Sequence, residues 1–485
     1  MKDERDHPED GASAEPDSTA AAKQPGRRGA AGLSRRSLLR RAGSVAAVVG
    51  LAGGAGRTAG AVQRGALPDA YLEPEGFAAP PLERVRMAFV GVGLQGGAHV
   101  RNFLRIPGVD VVAICDIDAP RAAEVAGWVI ADGRQEPVLY TQGEEDWRRL
   151  LEEQDGIDLV FNATPWRWHV PVCVEAMRAG RHTAVEVPAA YTIDGCWQLV
   201  ETAESTLRHC IMMENCCYGR SEMMVLRMAR AGLFGELLHA EGAYIHDLRA
   251  IKFSDANEGL WRLEHSKTRN GNLYPTHGLG PVANCLGINR GDQFDFLVSM
   301  SSVQRGLSKY ARERFGDEDP RALQPYALGD MNTSLIRTVR GRTLVVQHDT
   351  TSPRPYSRIH LVQGTEGLFT GYPDRIFLED RAEGGHGDWQ DVEPLRSEWE
   401  HPLWRRAGDD ASGAGHGGMD YLEDLRLIEC LRAGQALEMD VYDAAALSVI
   451  TEVSEISVAE RSRPVEIPDF TRGRWRQRRP TGSFA

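Results

Sequence analysis

The residues with the clearest chemical pattern lie in Arg86–Asp116, which reads RMAFVGVGLQGGAHVRNFLRIPGVDVVAICD. This stretch predicts a strand, a Gly-rich turn, a helix and a second strand that ends in an acid. Gly91, Gly93 and Gly96 fit the pattern G-x-G-x-x-G. In that pattern glycine permits the tight turn, the close approach of a pyrophosphate and the packing of helix against strand. The turn is therefore predicted to bind a dinucleotide.

The acid at the end of the second strand indicates which dinucleotide this is. Asp116 lies twenty residues beyond Gly96, at the tip of the apolar run Val109–Cys115. A carboxylate at this position can accept hydrogen bonds from both ribose hydroxyls, and it would repel a 2′-phosphate. We therefore predict NAD as the cofactor. Glycine also occurs in tight turns that bind nothing, so the prediction depends on the whole combination of strand, turn, helix and acid.

Two further segments end predicted strands at the same edge of the sheet. Trp166-Arg167-Trp168-His169 follows Asn162-Ala163-Thr164-Pro165, and Glu186-Val187-Pro188 ends another strand. Ligands of open α/β sheets bind at this carboxyl edge. The two indoles offer flat apolar surface beside a cofactor ring. The alternative is that they only staple the start of the next helix.

Composition limits the classes of partner. The chain has 485 residues, of which 42% are apolar and 26% charged, and its net charge is −13. Such a charge argues against nucleic acid and acidic membranes as general partners, because both require a basic surface. Small neutral or cationic molecules fit better. The eight cysteines form no C-x-x-C pair, so we expect no metal site and no disulfide framework.

The first 61 residues are expected to lie outside the fold, as a polar tail followed by a twin-arginine export signal. Arg35-Arg36 precedes the weakly apolar run Ala42–Ala55 and the small-residue site Ala59-Gly60-Ala61. This order predicts export through the twin-arginine machinery, cleavage near Ala61 and a periplasmic or extracellular location. The alternative is an Arg-rich tail with an accidental apolar run. The run is too short for a stable membrane span.

Periodicity divides the rest of the chain into two domains. After a linker at residues 62–83, strands alternate with helices over residues 84–215, which predicts a Rossmann domain with a doubly wound parallel sheet. Residues 216–471 are predicted to form an α+β domain with a large, mainly antiparallel sheet. Residues 472–485 are expected to be a polar tail. The overall class is α/β, and the sequence leaves open whether identical copies associate.

Several long motifs together resemble a known family. GVGLQGG, NATPWRWH, EVP, ENCCY and NGNLYPTHGLGP are similar to the Gfo/Idh/MocA oxidoreductase superfamily. Within it they most closely resemble the family 109 glycoside hydrolases, which are NAD-dependent α-N-acetylgalactosaminidases. The dehydrogenases of the superfamily carry a catalytic lysine in an E-K-P motif, where this chain has Val187.

The resemblance implies a redox-neutral hydrolysis of a small-molecule glycoside. NAD takes hydride from C3 of the sugar, the C2 proton is lost, the aglycone departs, water adds at C1 and hydride returns to C3. The resemblance also implies the residues that contact NAD: Gly91, Gly93, Leu94, Gln95, Gly96, Asp116, Trp166, Arg167, Trp168, His169, Glu186, Val187 and Asn215.

For the sugar, the resemblance points to Tyr244, Arg262, Tyr274, His277 and Tyr356. Tyr274 and His277 lie three residues apart beside the Gly-rich Gly278–Pro281, where a phenol and an imidazole can transfer a proton with the C3 hydroxyl. They are the predicted catalytic pair. A lone histidine is more often a hydrogen-bonded core residue, and Tyr356 by itself also fits a solvated turn.

Three hypotheses follow from these patterns. The first is an exported retaining glycoside hydrolase that cleaves terminal α-N-acetylgalactosamine or a related glycoside. The second is an exported NAD-dependent sugar oxidoreductase, and the third is a binding protein that keeps the dinucleotide as a structural element. His416-Gly417-Gly418 resembles a flexible segment at the border of the site, and the sequence suggests no mechanism for it.

Overall fold

A computed structural model describes residues 67–256, 259–381 and 387–485 of the chain. The predicted export signal around Arg35 and Arg36 and the expected cleavage site near Ala61 lie outside the described residues. In the part that is described, no helix has the length and apolar character needed to cross a membrane. The described residues belong to one compact unit, and they contain two β-sheets.

The first sheet is parallel and has six strands in the order β3-β2-β1-β4-β5-β6. Its strands are β1 (Val85–Val90), β2 (Val109–Cys115), β3 (Val138–Tyr140), β4 (Leu159–Asn162), β5 (His182–Val185) and β6 (Cys210–Met212). The helices between them are α1 (Leu94–Leu104), α2 (Ala119–Ala131), α3 (Asp146–Glu153), α4 (His169–Arg178) and α5 (Ile193–Thr206). This is the doubly wound order of a Rossmann domain, as the sequence predicts.

Burial explains why these segments form a parallel sheet. Most residues of β1, β4, β5 and β6 are inaccessible to solvent, including the successive residues Met87, Ala88 and Phe89. Strands that are apolar on both faces require helices on both sides of the sheet. The strand order reverses between β1 and β4, and this reversal opens a crevice at the carboxyl edge.

The second sheet has eight strands in the order β13-β12-β11-β7-β10-β9-β8-β14. Among the described strands of this sheet only β7 and β10 pair in parallel, so the sheet is mainly antiparallel, as predicted. Its strands are β7 (Leu237–Ile245), β8 (Phe294–Ser301), β9 (Asn332–Thr338), β10 (Thr343–Asp349), β11 (Leu361–Gly364), β12 (Gly367–Thr370), β13 (Arg375–Leu378) and β14 (Val465–Glu466).

The other α-helices of the described residues follow β6 in the chain. Before β9 they are α6 (Arg220–Arg230), α7 (Arg249–Lys252), α8 (Gly259–Thr268), α9 (Thr276–Leu286), α10 (Gly306–Phe315) and α11 (Pro320–Leu323). After β13 they are α12 (Glu393–Trp399), α13 (Pro402–Ala411), α14 (Met419–Ala433), α15 (Val441–Ser448) and α16 (Ile450–Ala459). Helix α14 packs on α1, whereas α9 packs on β7.

The segments expected to be a linker and a polar tail both pack against the fold where they are described. Tyr71 is buried and stacks on Phe77 with ring centroids 4.8 Å apart. In the last segment, Trp475 and Phe484 are buried, and Phe484 contacts the ring of Tyr218. Widely spaced aromatic residues inside a polar segment anchor it, because each buries a large apolar area.

Candidate active site

A cavity of about 480 Å³ opens at the carboxyl edge of the parallel sheet. The Gly-rich turn after β1 forms one side of it, and residues around β7, α8 and α9 form the other. Nearly all of the predicted cofactor and sugar residues line this cavity. The two exceptions are Gly96 and Tyr356.

The three glycines of the turn have different physical roles. Gly91 has φ +85°, a conformation that other residues rarely adopt. A Cβ on Gly96 would lie 2.1 Å from the carbonyl oxygen of Gly91, so Gly96 allows α1 to pack against the turn. Gly93, by contrast, has no heavy atom of another described segment within 4 Å of the position of a Cβ. Its open side faces the cavity, where a pyrophosphate can approach the backbone.

Asp116 is held in place at the end of β2. Its Oδ2 accepts a hydrogen bond of 2.7 Å from the backbone N–H of Val92, and its Oδ1 accepts one of 2.9 Å from Asp118. Arg121 is nearby, but it donates to the carbonyl oxygens of Val92 and Gly93 and to Glu124. This arginine therefore clamps the turn, while Asp116 offers a carboxylate to a ribose. These features fit NAD.

The tryptophan segment forms the wall between the two halves of the cavity. Trp166 lies 5.9 Å from Tyr274 and 5.1 Å from Trp261, measured between ring centroids. His169 lines the cavity, yet its two ring nitrogens lie 2.8 Å from the carbonyl oxygens of Thr164 and Pro188. Its imidazole thus fastens two loops at the sheet edge. Arg167 is exposed and pairs with Glu144.

Glu186 is anchored from behind by a buried histidine that the sequence analysis missed. His99 Nε2 lies 3.0 Å from Glu186 Oε1, and His99 Nδ1 lies 2.8 Å from Asp424. Burial alone would lower the pKa of His99, but the two carboxylates raise it well above its usual range. Burial alone would likewise raise the pKa of Glu186, yet the hydrogen bond with His99 lowers it. Glu186 therefore presents an ionised carboxylate to the cavity.

The predicted sugar residues cluster on the other side. The ring of Tyr244 lies 4.5 Å from that of Tyr274 and 5.4 Å from that of His277. Arg262 places its guanidinium 5.5 Å from the ring centres of both Trp166 and Tyr274. Aromatic faces beside a cation and several polar groups suit a sugar, which has both apolar C–H faces and hydroxyls.

Tyr356 lies behind this cluster and does not line the cavity. Its ring is 5.0 Å from His246 and 6.3 Å from Tyr244, and its hydroxyl accepts a hydrogen bond from Arg358. The side chain of His246 does line the cavity, and its Nδ1 lies 3.0 Å from the Tyr244 hydroxyl. The structure thus brings Tyr244, Arg262, Tyr274 and His277 together and places Tyr356 one layer away.

His277 is paired with a carboxylate that the sequence analysis did not single out. Its Nδ1 lies 2.7 Å from Oε1 of Glu214, which is fully buried just beyond the end of β6. The pairing leaves Nε2 as the ring nitrogen available to a substrate. Tyr274, just before the start of α9, has its ring 4.9 Å from the imidazole.

Glu214, Cys216 and His277 also bring one ligand atom each within 4.8 Å of one another. Groups of these types can bind a cation. However, Glu214 and His277 are hydrogen-bonded to each other, and burial raises the pKa of Cys216 well above its usual range. A protonated thiol is a poor metal ligand. We interpret the group as a carboxylate–imidazole pair, and the absence of a metal stays a prediction.

Comparisons with known proteins agree with this division of the chain. Residues 85–214 match the family model described as oxidoreductase family, NAD-binding Rossmann fold. Residues 218–477 match the model described as glycosyl hydrolase 109, C-terminal domain. The first domain therefore binds NAD, and Gly91, Gly93 and Asp116 have the geometry that this cofactor requires.

Curated relatives that match this chain over most of their length are named glycosyl hydrolase family 109 proteins. A glycosyl hydrolase family 109 protein of Shewanella pealeana is 48% identical over 410 residues, which cover 84% of this chain and 90% of the relative. Glycosyl hydrolase family 109 protein 2 of Shewanella sp. (strain ANA-3) is 47% identical over 456 residues, or 93% of this chain and 99% of the relative.

Solved structures share the fold at low sequence identity. Levoglucosan dehydrogenase in complex with NADH has a TM-score of 0.61 and 20% identity, and the match covers 80% of this chain and all of that one. An inositol dehydrogenase homolog from Azotobacter vinelandii, complexed with NADH and myo-inositol, has a TM-score of 0.58 and 20% identity, with coverages of 80% and 98%.

The glycines of the turn provide a matched pair of variants. Gly93 has an open Cβ position, but its φ −61° and ψ −133° lie outside the regions that other residues favour, so Gly93→Ala should lower the free energy of unfolding by about 1 kcal/mol and lower the NAD retained per chain. Gly96→Ala should destabilise the protein by about 2 kcal/mol, because its Cβ meets backbone. Chemical denaturation and assay of released NAD measure both effects. Undiminished NAD retention in Gly93→Ala would contradict this assignment.

Lys252 is a buried cation behind the sugar side, and it predicts a pH dependence of stability. Its Nζ donates hydrogen bonds of 2.8 and 2.9 Å to Thr350 and Ser266. Burial lowers its pKa from 10.5 to about 7. Between pH 7 and 10.5 Lys252 carries a proton in the unfolded chain more often than in the folded chain. The free energy of unfolding therefore rises with pH over this range.

Lys252→Met should therefore raise the free energy of unfolding at pH 7 by about 2 kcal/mol and flatten its rise toward pH 10. The exposed Lys309, changed to Met, serves as the control and should have little effect. Thermal unfolding at several pH values measures the change. A lower midpoint for Lys252→Met at every pH would show that the two hydrogen bonds outweigh the cost of burying the charge.

Proposed function

This chain belongs to glycosyl hydrolase family 109, and from that premise we propose that it is a retaining glycoside hydrolase that cleaves terminal α-N-acetylgalactosamine. In the proposed reaction the sugar is oxidised at C3, loses its C2 proton, expels the aglycone, adds water at C1 and is reduced again. NAD, when bound, accepts and returns the two electrons of C3 within one turnover. The family supports a glycosidase or an NAD-dependent sugar oxidoreductase, and hydrolysis, this sugar and this course of reaction are our proposal.

The observation that carries the proposal is the set of acid–base groups in the cavity. Val187 is buried at the sheet edge, in the position where the superfamily's dehydrogenases have a lysine. No lysine lines the cavity in the described part of the chain. The carboxylate-paired His277 and the phenol of Tyr274 are there instead. This favours internal proton transfers over net oxidation by a lysine.

The residues of the chain have distinct roles in this scheme. His277 Nε2 takes the proton of the C3 hydroxyl and returns it at the end, while Glu214 holds the ring through Nδ1. Tyr274 stands beside His277 and donates a hydrogen bond to the same region of the sugar. Tyr244, Trp166 and Arg262 bind the sugar through ring faces and charge.

An assay without added cofactor tests the proposal. A panel of nitrophenyl glycosides that differ in sugar and anomer is incubated in D₂O with the purified full chain. We expect release of free N-acetylgalactosamine from the α-glycoside, deuterium at C2 and no accumulation of NADH. Accumulating NADH with a keto-sugar or lactone product would establish the alternative, a sugar oxidoreductase. A requirement for stoichiometric external NAD would also contradict the proposal.

A variant of His277 provides the control. His277→Gln should lower kcat/KM by about 10²-fold or more while NAD retention stays unchanged, because only proton transfer is lost. Unchanged turnover would remove this residue from the mechanism. If the unchanged chain and His277→Gln bind the sugar equally well and neither turns it over, the result would support a binding protein.

We also propose that the chain is exported in folded form with NAD bound, since the cofactor is scarce outside the cytoplasm. The proposal of export is supported by the order of Arg35-Arg36, the apolar run and Ala59-Gly60-Ala61 in the sequence. Conservative replacement of both arginines by lysine should retain the protein in the cytoplasm, as measured by cell fractionation. Equal distribution of both forms would contradict export by this route.

A further inference from the structure

A second carboxylate–imidazole pair faces the same cavity. His416 Nδ1 lies 2.7 Å from Oδ2 of Asp420, in the first turn of α14. Both His277 and His416 line the cavity. Among the described residues, the Nε2 atom of neither ring has a hydrogen-bond partner. Each pair therefore has the arrangement of a proton-transfer group, with a carboxylate on one nitrogen and the other nitrogen free.

The two pairs are tied together by consecutive residues at the end of β6. Glu214 contacts His277, and the side chain of its neighbour Asn215 donates a hydrogen bond of 2.6 Å to Oδ1 of Asp420. Asp420 is almost fully buried. A buried carboxylate with fixed donors on both oxygens holds its imidazole in one orientation. The position of His416 is thus set by the same loop that sets His277.

The backbone around His416 is unusual as well. His416 has φ +50°, and Gly417 and Gly418 continue with φ +71° and +98°. A side chain at a left-handed position is uncommon and costs energy, which the surrounding contacts must offset. In this conformation the imidazole reaches the cavity wall and Asp420 at the same time.

The two imidazoles differ in their access to solvent. The side chain of His277 is 12% exposed, whereas that of His416 is 47% exposed. His416 therefore lies where the cavity opens, and His277 lies inside. A terminal sugar that enters with its aglycone outward places the glycosidic oxygen toward the mouth. The group that leaves then passes His416.

We propose that His416 is the general acid that protonates the departing aglycone oxygen; this assignment rests on the proposed function. A base in the cavity takes the C2 proton, and the electron pair left on C2 forms a C1–C2 double bond. The C1–O bond breaks, its electron pair stays on the oxygen, and the proton of His416 Nε2 is transferred to that oxygen. The neutral imidazole then takes a proton from the water that adds to C1.

The charge of the surroundings suits this role. The hydrogen bond with Asp420 raises the pKa of His416, with further help from the charge of Glu186. A raised pKa favours the protonated imidazole that an acid requires in the first half of the reaction. In the second half, when water adds to C1, the same imidazole acts as a base and takes a proton from that water.

Two substrates with different leaving groups test the assignment in His416→Asn, since asparagine tolerates the left-handed backbone. The dinitrophenyl glycoside expels a stable phenolate that needs no proton, whereas the phenyl glycoside expels a basic one. We expect kcat/KM to fall about 10²-fold for the phenyl glycoside and to stay within about fivefold for the dinitrophenyl glycoside. His416→Gln should give the same difference between substrates if the first variant folds poorly.

A second readout follows the sugar that is not hydrolysed. In D₂O the variant should still exchange the C2 proton of the phenyl glycoside, so recovered substrate should gain more deuterium per hydrolysis event than it does with the unchanged enzyme. NAD retained per chain should be unaffected. His239→Asn serves as the control, because His239 contacts Thr343 away from the cavity.

Two results would overturn the assignment. One is unchanged turnover of the phenyl glycoside, and the other is an equal loss on both substrates together with loss of C2 exchange, which would place His416 before aglycone departure. The unchanged enzyme separates this failure from that of the proposed function. If it hydrolyses without added cofactor and exchanges C2, only the role of His416 has failed. If it does neither, the proposed function fails, and this assignment fails with it.

Discussion

Backbone contact between α9 and β7 is the constraint on which the active site depends. A Cβ on Gly242 of β7 would lie 2.1 Å from the carbonyl oxygen of Gly278, and one on Gly278 would lie 2.2 Å from the backbone nitrogen of Ala243. A Cβ on Gly280 would lie 2.9 Å from Glu214. Only glycine allows the helix to lie this close to β7 and to the segment that follows β6. The helix carries His277 in its first turn, so this contact brings the imidazole to Glu214.

Buried partners, rather than solvent, fix the charges around the cavity. Glu214 holds His277, Asp420 holds His416, and His99 bridges Glu186 and Asp424. Burying an ionised group without a partner costs several kcal/mol. Within each of these pairs, one member therefore stabilises the other. Such groups cannot reorient as side chains on the surface do. The cavity therefore presents proton-transfer groups in set positions before a substrate arrives.

The NAD half of the site could be predicted from sequence because its signals are local. Gly91, Gly93, Gly96 and Asp116 lie within one βαβ unit, where spacing alone specifies the turn and the ribose acid. The short edge strand β3 was not predicted, since it is only three residues long and only one of the three is buried. The polar segment after residue 471 packs through isolated aromatic residues, which leave no periodic signal.

The partners of the catalytic residues could not be predicted in this way. His277 and Glu214 are 63 residues apart, and His99 and Asp424 are 325 apart. Neither pairing follows a helical or strand period, so only the tertiary fold reveals it. The resemblance to a family indicated His277 and Tyr274, but it said nothing of the carboxylates behind the imidazoles. A buried acid such as Glu214, directly after an apolar strand, was the one available signal.

The proposed reaction sets a minimum on what such a cavity must contain. Protons move at three positions of the sugar: the C3 hydroxyl, C2 and the glycosidic oxygen. A group that takes a proton at one position and returns it there can serve both halves of the reaction, so three groups suffice. A single lysine at the edge of the sheet could serve only one position. Two paired imidazoles line this cavity for the C3 hydroxyl and the glycosidic oxygen, and the phenol of Tyr274 lies beside His277. In the proposed reaction, a fold that is shared with sugar dehydrogenases is combined with additional proton-transfer groups.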